Sequence, residues 1–146
     1  MRVAINGFGR IGRSVFRILN SKKNVSVVAI NDIADNDAMA YLLKYDTVMG
    51  PFKDSVSLEG DIMKTSKNQI KMVAERDPSL LPWKEMEVDV VIEATGIFRE
   101  KSQLQQHINA GAKRVILTVP SKDEIDYTLV IGVNDDGLNE DHKIIS

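Results

Sequence analysis

Short, continuous apolar runs alternate along the chain with stretches where apolar residues return every three or four positions. Val3-Ala4-Ile5 reads as a buried strand running into Gly7. From Arg10 to Ser21, the residues Ile11, Val15, Ile18 and Leu19 fall at i, i+4, i+7 and i+8, one face of a helix. Arg13 and Arg17 are expected to point away from that face. Val25 to Ile30 is a second apolar strand, ending at Asn31 and Asp32. Runs that are apolar on both faces suit a parallel sheet covered by helices on both sides. Asn36 to Lys44 reads as a second helix, with Ala38, Met39, Leu42 and Leu43 inward.

The pattern then changes. Gly50-Pro51 is a turn, and Val56 to Leu58, Ile62 to Thr65 and Gln69 to Val73 read as short antiparallel strands. Pro78 and Pro82 bracket a loop or one-turn helix before Trp83, which is expected to plug the space under that loop. Alternation resumes with a strand from Val88 to Ala94 and a helix from Lys101 to Ala110 that Gly111 is placed to end. Val115 to Val119, Thr128 to Val133 and Lys143 to Ile145 are the remaining expected strands. Strand–helix–strand alternation at this spacing predicts an α/β fold: a Rossmann-type, doubly wound, mostly parallel sheet with a short antiparallel insertion.

Composition narrows the class. The 146 residues fit one domain, and 43% hydrophobic with 27% charged residues is the ordinary globular range. The formal net charge is −2, and the doublets Lys22-Lys23 and Lys113-Arg114 are expected to be solvated, not part of a nucleic-acid-reading face. There is no cysteine, hence no disulfide and no thiolate nucleophile within the chain. No secretory leader and no run long enough to span a membrane is visible, so a soluble, cytoplasmic protein is expected.

The chemistry is concentrated in Gly7-Phe8-Gly9-Arg10-Ile11-Gly12, a GxGxxG that follows a buried strand and opens an amphipathic helix. Asp32 stands 20 residues beyond Gly12, at the end of the next strand. In such a unit Gly7 allows the tight turn, Gly9 lets the backbone approach a pyrophosphate, and Gly12 lets helix and strand pack closely. First-turn N–H groups and the helix dipole then face the phosphates. Asp32 would accept hydrogen bonds from the adenosine ribose and repel a 2′-phosphate, favouring NAD over NADP. Thr95, Gly96 and Thr118 lie at or near the ends of later strands, where ligands bind in a doubly wound sheet. A threonine and a glycine in that position are often only turn residues; the upstream fingerprint is what gives them weight.

The same residues carry a family resemblance. Ile5 to Arg13 (INGFGRIGR) resembles the amino-terminal signature of the glyceraldehyde-3-phosphate dehydrogenases. LLKYD at Leu42 to Asp46, ERDP at Glu75 to Pro78, LPW at Leu81 to Trp83, GAKRVI at Gly111 to Ile116 and GVN at Gly132 to Asn134 resemble the same family, in order and spacing. The resemblance implies an NAD-binding domain over residues 1–146, with the catalytic domain absent from this chain. The family's nucleophilic cysteine and activating histidine would then lie beyond Ser146, leaving no catalytic residue here and an inactive fragment. It further implies backbone N–H contacts from Arg10 and Ile11 to the pyrophosphate and Asp32 on the ribose. Arg76 and Phe98 would lie by the adenine, and Thr95, Gly96 and Thr118 toward the nicotinamide. The implied partners are NAD, a sugar phosphate bound only with the catalytic domain, and further copies of the chain in a tetramer. Thr118-Val119-Pro120 and Ala94-Thr95-Gly96 depart from the family's common Ser-Ala-Pro and Ser-Thr-Gly. A related erythrose-4-phosphate dehydrogenase and a free-standing NAD-binding regulatory module therefore stay open as alternatives.

The two histidines suggest no chemistry. His107 reads as a surface residue flanking its helix, and His142 as solvated in a turn. The loop acids Asp35, Asp37, Glu140 and Asp141 match no metal-site spacing.

Overall fold

The computed structural model describes residues 1–146. Its elements are β1 (Arg2–Asn6), α1 (Arg10–Ser21), β2 (Ser26–Asn31), α2 (Asn36–Lys44), β3 (Ser57–Glu59), β4 (Ile62–Lys64), β5 (Gln69–Val73), β6 (Val90–Glu93), α3 (Lys101–Asn109), β7 (Arg114–Leu117) and β8 (Ile144–Ile145). The strands form one sheet in the order β3-β4-β5-β2-β1-β6-β7-β8. From β5 to β8 all pairings are parallel, while β3-β4 and β4-β5 are antiparallel. β5 thus belongs to both parts: it closes the antiparallel insertion and is also the parallel neighbour of β2. The strand order reverses between β1 and β6, which puts the ligand crevice of a Rossmann-type sheet at their carboxyl ends.

Side chains alternate across the sheet as the pleat requires. Val3 and Ile5 of β1 pack with Phe8, Phe16, Ile30 and Leu43 in one core layer. Ala4 points the other way, into a layer that holds Trp83, Leu104, Val115 and Ile144. Trp83 is fully buried there, beneath the loop after the one-turn 3-10 helix Pro78–Leu80.

Several local expectations are corrected. α1 packs Val15 and Leu19 against the core as expected and buries Gly12 and Phe16, whereas Ile11 and Ile18 are 48% and 55% exposed. The helix is rotated toward its glycine because only there can its backbone touch the Gly7 carbonyl; a Cβ on Gly12 would lie 2.1 Å from that oxygen. Arg13 and Arg17 are not free. Arg13 Nη1 donates to the Phe8 carbonyl at 2.9 Å. Arg17 donates to the Leu43 and Gly50 carbonyls at 2.6 and 2.8 Å and lies over the Phe52 ring, fastening the loop after α2. α2 turns Met39 and Leu43 inward and leaves Ala38 and Leu42 exposed.

Thr128 to Val133 does not form a strand. The amides of Tyr127 and Leu129 do bond to β8 residue Ile144 and to Ser146. The Asn134 side chain then bridges Val130 N–H and Thr128 C=O, turning the chain away and leaving Ile131 and Val133 exposed. His142 is half-buried and stacks on Tyr127 at 4.7 Å. His107 is fully buried in α3, hydrogen-bonded to Trp83 and Glu93. No helix is long and apolar enough to cross a membrane.

The β8 edge is fastened by Asp126. It accepts from the Lys143 and Ile144 amides, each at 2.9 Å, and pairs with the Lys101 ammonium at 2.9 Å. Burial opposes its charged form, but the Lys101 and backbone hydrogen bonds outweigh burial and hold the carboxyl below its ordinary value; the same pairing raises Lys101. A depressed carboxyl contributes stability above the unfolded value of about 3.9 and loses it as pH falls through the lower folded value. Asp126→Ala is therefore expected to destabilise the protein at pH 7 by about 1–3 kcal/mol. Urea unfolding across pH should show the gap between the two proteins narrowing below about pH 4.

Candidate functional site

The crevice at the ends of β1 and β6 is a cavity of about 400 Å³. Four loops make it, those after β1, β2, β5 and β6. The turn after β1 enters through Gly7, whose backbone (φ +91) is left-handed and whose missing side chain lets the Thr95 amide approach; a Cβ there would lie 2.6 Å from that nitrogen. The loop after β2 supplies Asp32, and the loop after β5 supplies Glu75 and Arg76.

Gly9 has a different reason to be glycine. A Cβ on it would meet no protein atom within 4 Å, and it would stand in the open cavity mouth at the start of α1. Its φ and ψ of −69° and −157° are open to any residue. No contact within the protein accounts for the missing side chain here. α2 is capped by Asp35 and the start of α3 is closed by the Gln103 side chain, but α1 has no side-chain cap and no acidic residue in its first turn. Its free N–H groups and dipole are available to an anion.

Asp32 fixes the glycine loop as well as facing the cavity. Its carboxylate accepts from Phe8 N–H at 2.6 Å and from Ala34 N–H at 2.9 Å. Each oxygen keeps a further acceptor site for a ligand hydroxyl. On the floor, Asn31 Nδ2 donates to Asn6 Oδ1 at 2.7 Å and to the Glu75 carbonyl at 2.8 Å, while its Oδ1 accepts from Glu75 N–H at 2.8 Å.

Of the expected site residues, the structure brings Gly7, Gly9, Asp32, Arg76, Thr95 and Phe98 to the cavity wall. Gly12 is buried behind it, Arg10 and Ile11 lie exposed along the first turn of α1, and Gly96 is exposed between two lining residues. Thr118 is half-buried outside the wall, its hydroxyl donating to the Glu93 carbonyl at 3.0 Å. Asn6, Asn31 and Glu75 line the cavity unannounced. The signal for the first two was present: each is a polar residue ending an otherwise apolar strand of a parallel sheet.

A second groove, of about 650 Å³, lies by the carboxyl-terminal end of α1. Among its polar groups, Arg17 is engaged by two carbonyls and Asp54 by Asn20 and Ser66. No cluster of three or more His, Cys, Asp or Glu side chains could hold a metal ion.

Residues 1–101 match the family described as glyceraldehyde 3-phosphate dehydrogenase, NAD binding domain. Over 147 residues the chain is 52% identical to the glyceraldehyde-3-phosphate dehydrogenase of Thermotoga maritima, covering 99% of this chain and 44% of that protein. Similarity to the enzymes of Borreliella burgdorferi, at 48% identity, and Mycoplasma pneumoniae, at 46%, covers the whole of this chain and 44% and 43% of theirs. The chain thus spans less than half the length of the curated relatives it matches.

Proposed function

Because this chain belongs to the glyceraldehyde-3-phosphate dehydrogenase family and carries its NAD-binding domain, we propose that residues 1–146 form that domain and hold NAD in the cavity between β1 and β6. The observation that carries the assignment is Gly9: a side chain missing at the uncapped helix start, where no protein atom requires its absence. The pyrophosphate lies against Gly9 and the amides of Arg10 and Ile11. Asp32 accepts from the adenosine ribose hydroxyls. Arg76 and Phe98 flank the adenine, and the nicotinamide half extends past Thr95 and Gly96 toward Thr118.

The whole protein, on this reading, is a cytoplasmic, oligomeric enzyme of glycolysis that oxidises glyceraldehyde 3-phosphate with phosphate. Bound there, NAD would supply the hydride acceptor for that oxidation. The residues present here bind the cofactor, orient it and keep its adenosine end fixed. The thiolate and its base come from other parts of the enzyme, since these residues include no cysteine.

NAD is expected to stabilise the 146-residue protein by about 2.7 kcal/mol at a hundred times its dissociation constant. Thermal unfolding with increasing NAD, alongside calorimetric titration, checks this. An unchanged transition and no heat at millimolar NAD would refute the assignment.

A further inference from the structure

Glu93 ends β6 fully buried, and its neighbours surround it with hydrogen-bond donors. Trp83 Nε1, which can only donate, gives its hydrogen to His107 Nδ1 at 3.0 Å. That nitrogen therefore carries no proton, and the ring is neutral with its hydrogen on Nε2. Nε2 lies 3.1 Å from Glu93 Oε2 and donates to it. The same oxygen accepts from Asn6 Nδ2 at 2.5 Å. Oε1 accepts from the Thr95 amide at 2.9 Å and from the Thr95 hydroxyl. Four donors converge on its two oxygens, the arrangement that satisfies a carboxylate without an Arg or Lys partner.

Packing alone gives no reason for such a group, because an uncompensated buried charge is costly and an apolar side chain would fill the space. What the carboxylate accomplishes is connection. One oxygen sets Thr95 on one wall of the cavity. The other sets Asn6, which orients Asn31, which in turn holds both backbone groups of Glu75 beside Arg76 on the opposite wall. Both walls are thereby set from one point beneath the floor. A network with every member satisfied specifies a single geometry; with one partner missing it does not.

We propose that Glu93 is the positioning residue of the dinucleotide cavity, its buried carboxylate tying the Thr95 wall to the Asn6–Asn31–Glu75 wall, with His107 and Trp83 as its rear support. This rests on the reading that the cavity holds NAD. A glutamine at 93 has one acceptor oxygen and turns an NH₂ group toward two donors.

In calorimetric titrations, E93Q is expected to bind NAD at least tenfold more weakly than the parent while unfolding in one cooperative step. T95V, which removes the hydroxyl that donates to Glu93 and accepts from the Ile97 amide, should lose at least threefold, and the double variant should bind no more weakly than E93Q. T95V decides the matter if E93Q does not fold. Nitrogen NMR of the His107 ring should show a bare Nδ1 and a protonated Nε2 in the parent. Parent-like NAD affinity in folded E93Q or in T95V, or a doubly protonated His107, would overturn the proposal. A parent that binds no NAD would instead overturn the cofactor reading, and this one with it.

Discussion

Gly12→Ala will lower the stability of the protein by about 1–3 kcal/mol, and Gly9→Ala will leave stability nearly unchanged but weaken NAD binding about tenfold to a hundredfold. The two residues stand three apart in one glycine motif, yet the structure gives them opposite constraints. A Cβ at Gly12 meets the Gly7 carbonyl oxygen at 2.1 Å, and the Gly7 backbone cannot retreat because it is itself pressed against the Thr95 amide. The clash is with the backbone of the turn that leaves the central strand β1, so α1 must lift from the sheet. At Gly9 the new methyl meets nothing within 4 Å, and the backbone there is open to alanine. The methyl occupies the space where the pyrophosphate must touch the helix start. Denaturant unfolding of both variants, paired with NAD titration of Gly9→Ala, separates the two effects. A Gly9→Ala protein that binds NAD as the parent does would remove the main support for placing the pyrophosphate at α1.

The second large effect is expected at Asp32. Asp32→Ser should reduce the preference for NAD over NADP at least tenfold, since a hydrogen bond to a charged group is worth about 1.5–3 kcal/mol and a 2′-phosphate would no longer meet a carboxylate. The structure adds a consequence. Asp32 also receives the Phe8 and Ala34 amides at 2.6 and 2.9 Å, so serine loosens the glycine loop and lowers affinity for both nucleotides. Asp32→Asn removes the charge but keeps a side chain that reaches Phe8, and it should shift the ratio with a smaller loss of overall affinity. Measuring both dissociation constants for parent and variants tests this. If the NAD to NADP ratio stays the same in both variants, Asp32 does not set cofactor choice.

The sequence by itself determined the architecture and the position of the binding crevice. The helices from Arg10, Asn36 and Lys101 begin where their patterns place them, because a glycine turn or polar residue at each start and a 3.6-residue repeat are local properties. The crevice followed from topology: a GxGxxG between two parallel strands can open only at their carboxyl ends. The antiparallel insertion was also legible, though not that β5 pairs on both sides, since strand partners lie far apart in sequence.

Tertiary structure decided which groups face one another. The inward face of α1 was read only in part: Val15 and Leu19 do pack against the core, but a stripe through Ile11 and Ile18 looks as regular as one through Gly12 and Phe16. Only the contact between Gly12 and the Gly7 carbonyl selects the second. Thr128 to Val133 had a strand's composition, but the Asn134 side chain claimed its backbone groups instead. His107 looked like a surface residue because its partners are 14 and 24 positions away, on β6 and in the loop before it. Burial of a polar side chain depends on finding its hydrogen-bond partners in three dimensions, and no periodicity records that. For this reason the glycine motif could be read from sequence, while the Glu93 network beneath it became visible only when the strands were brought side by side.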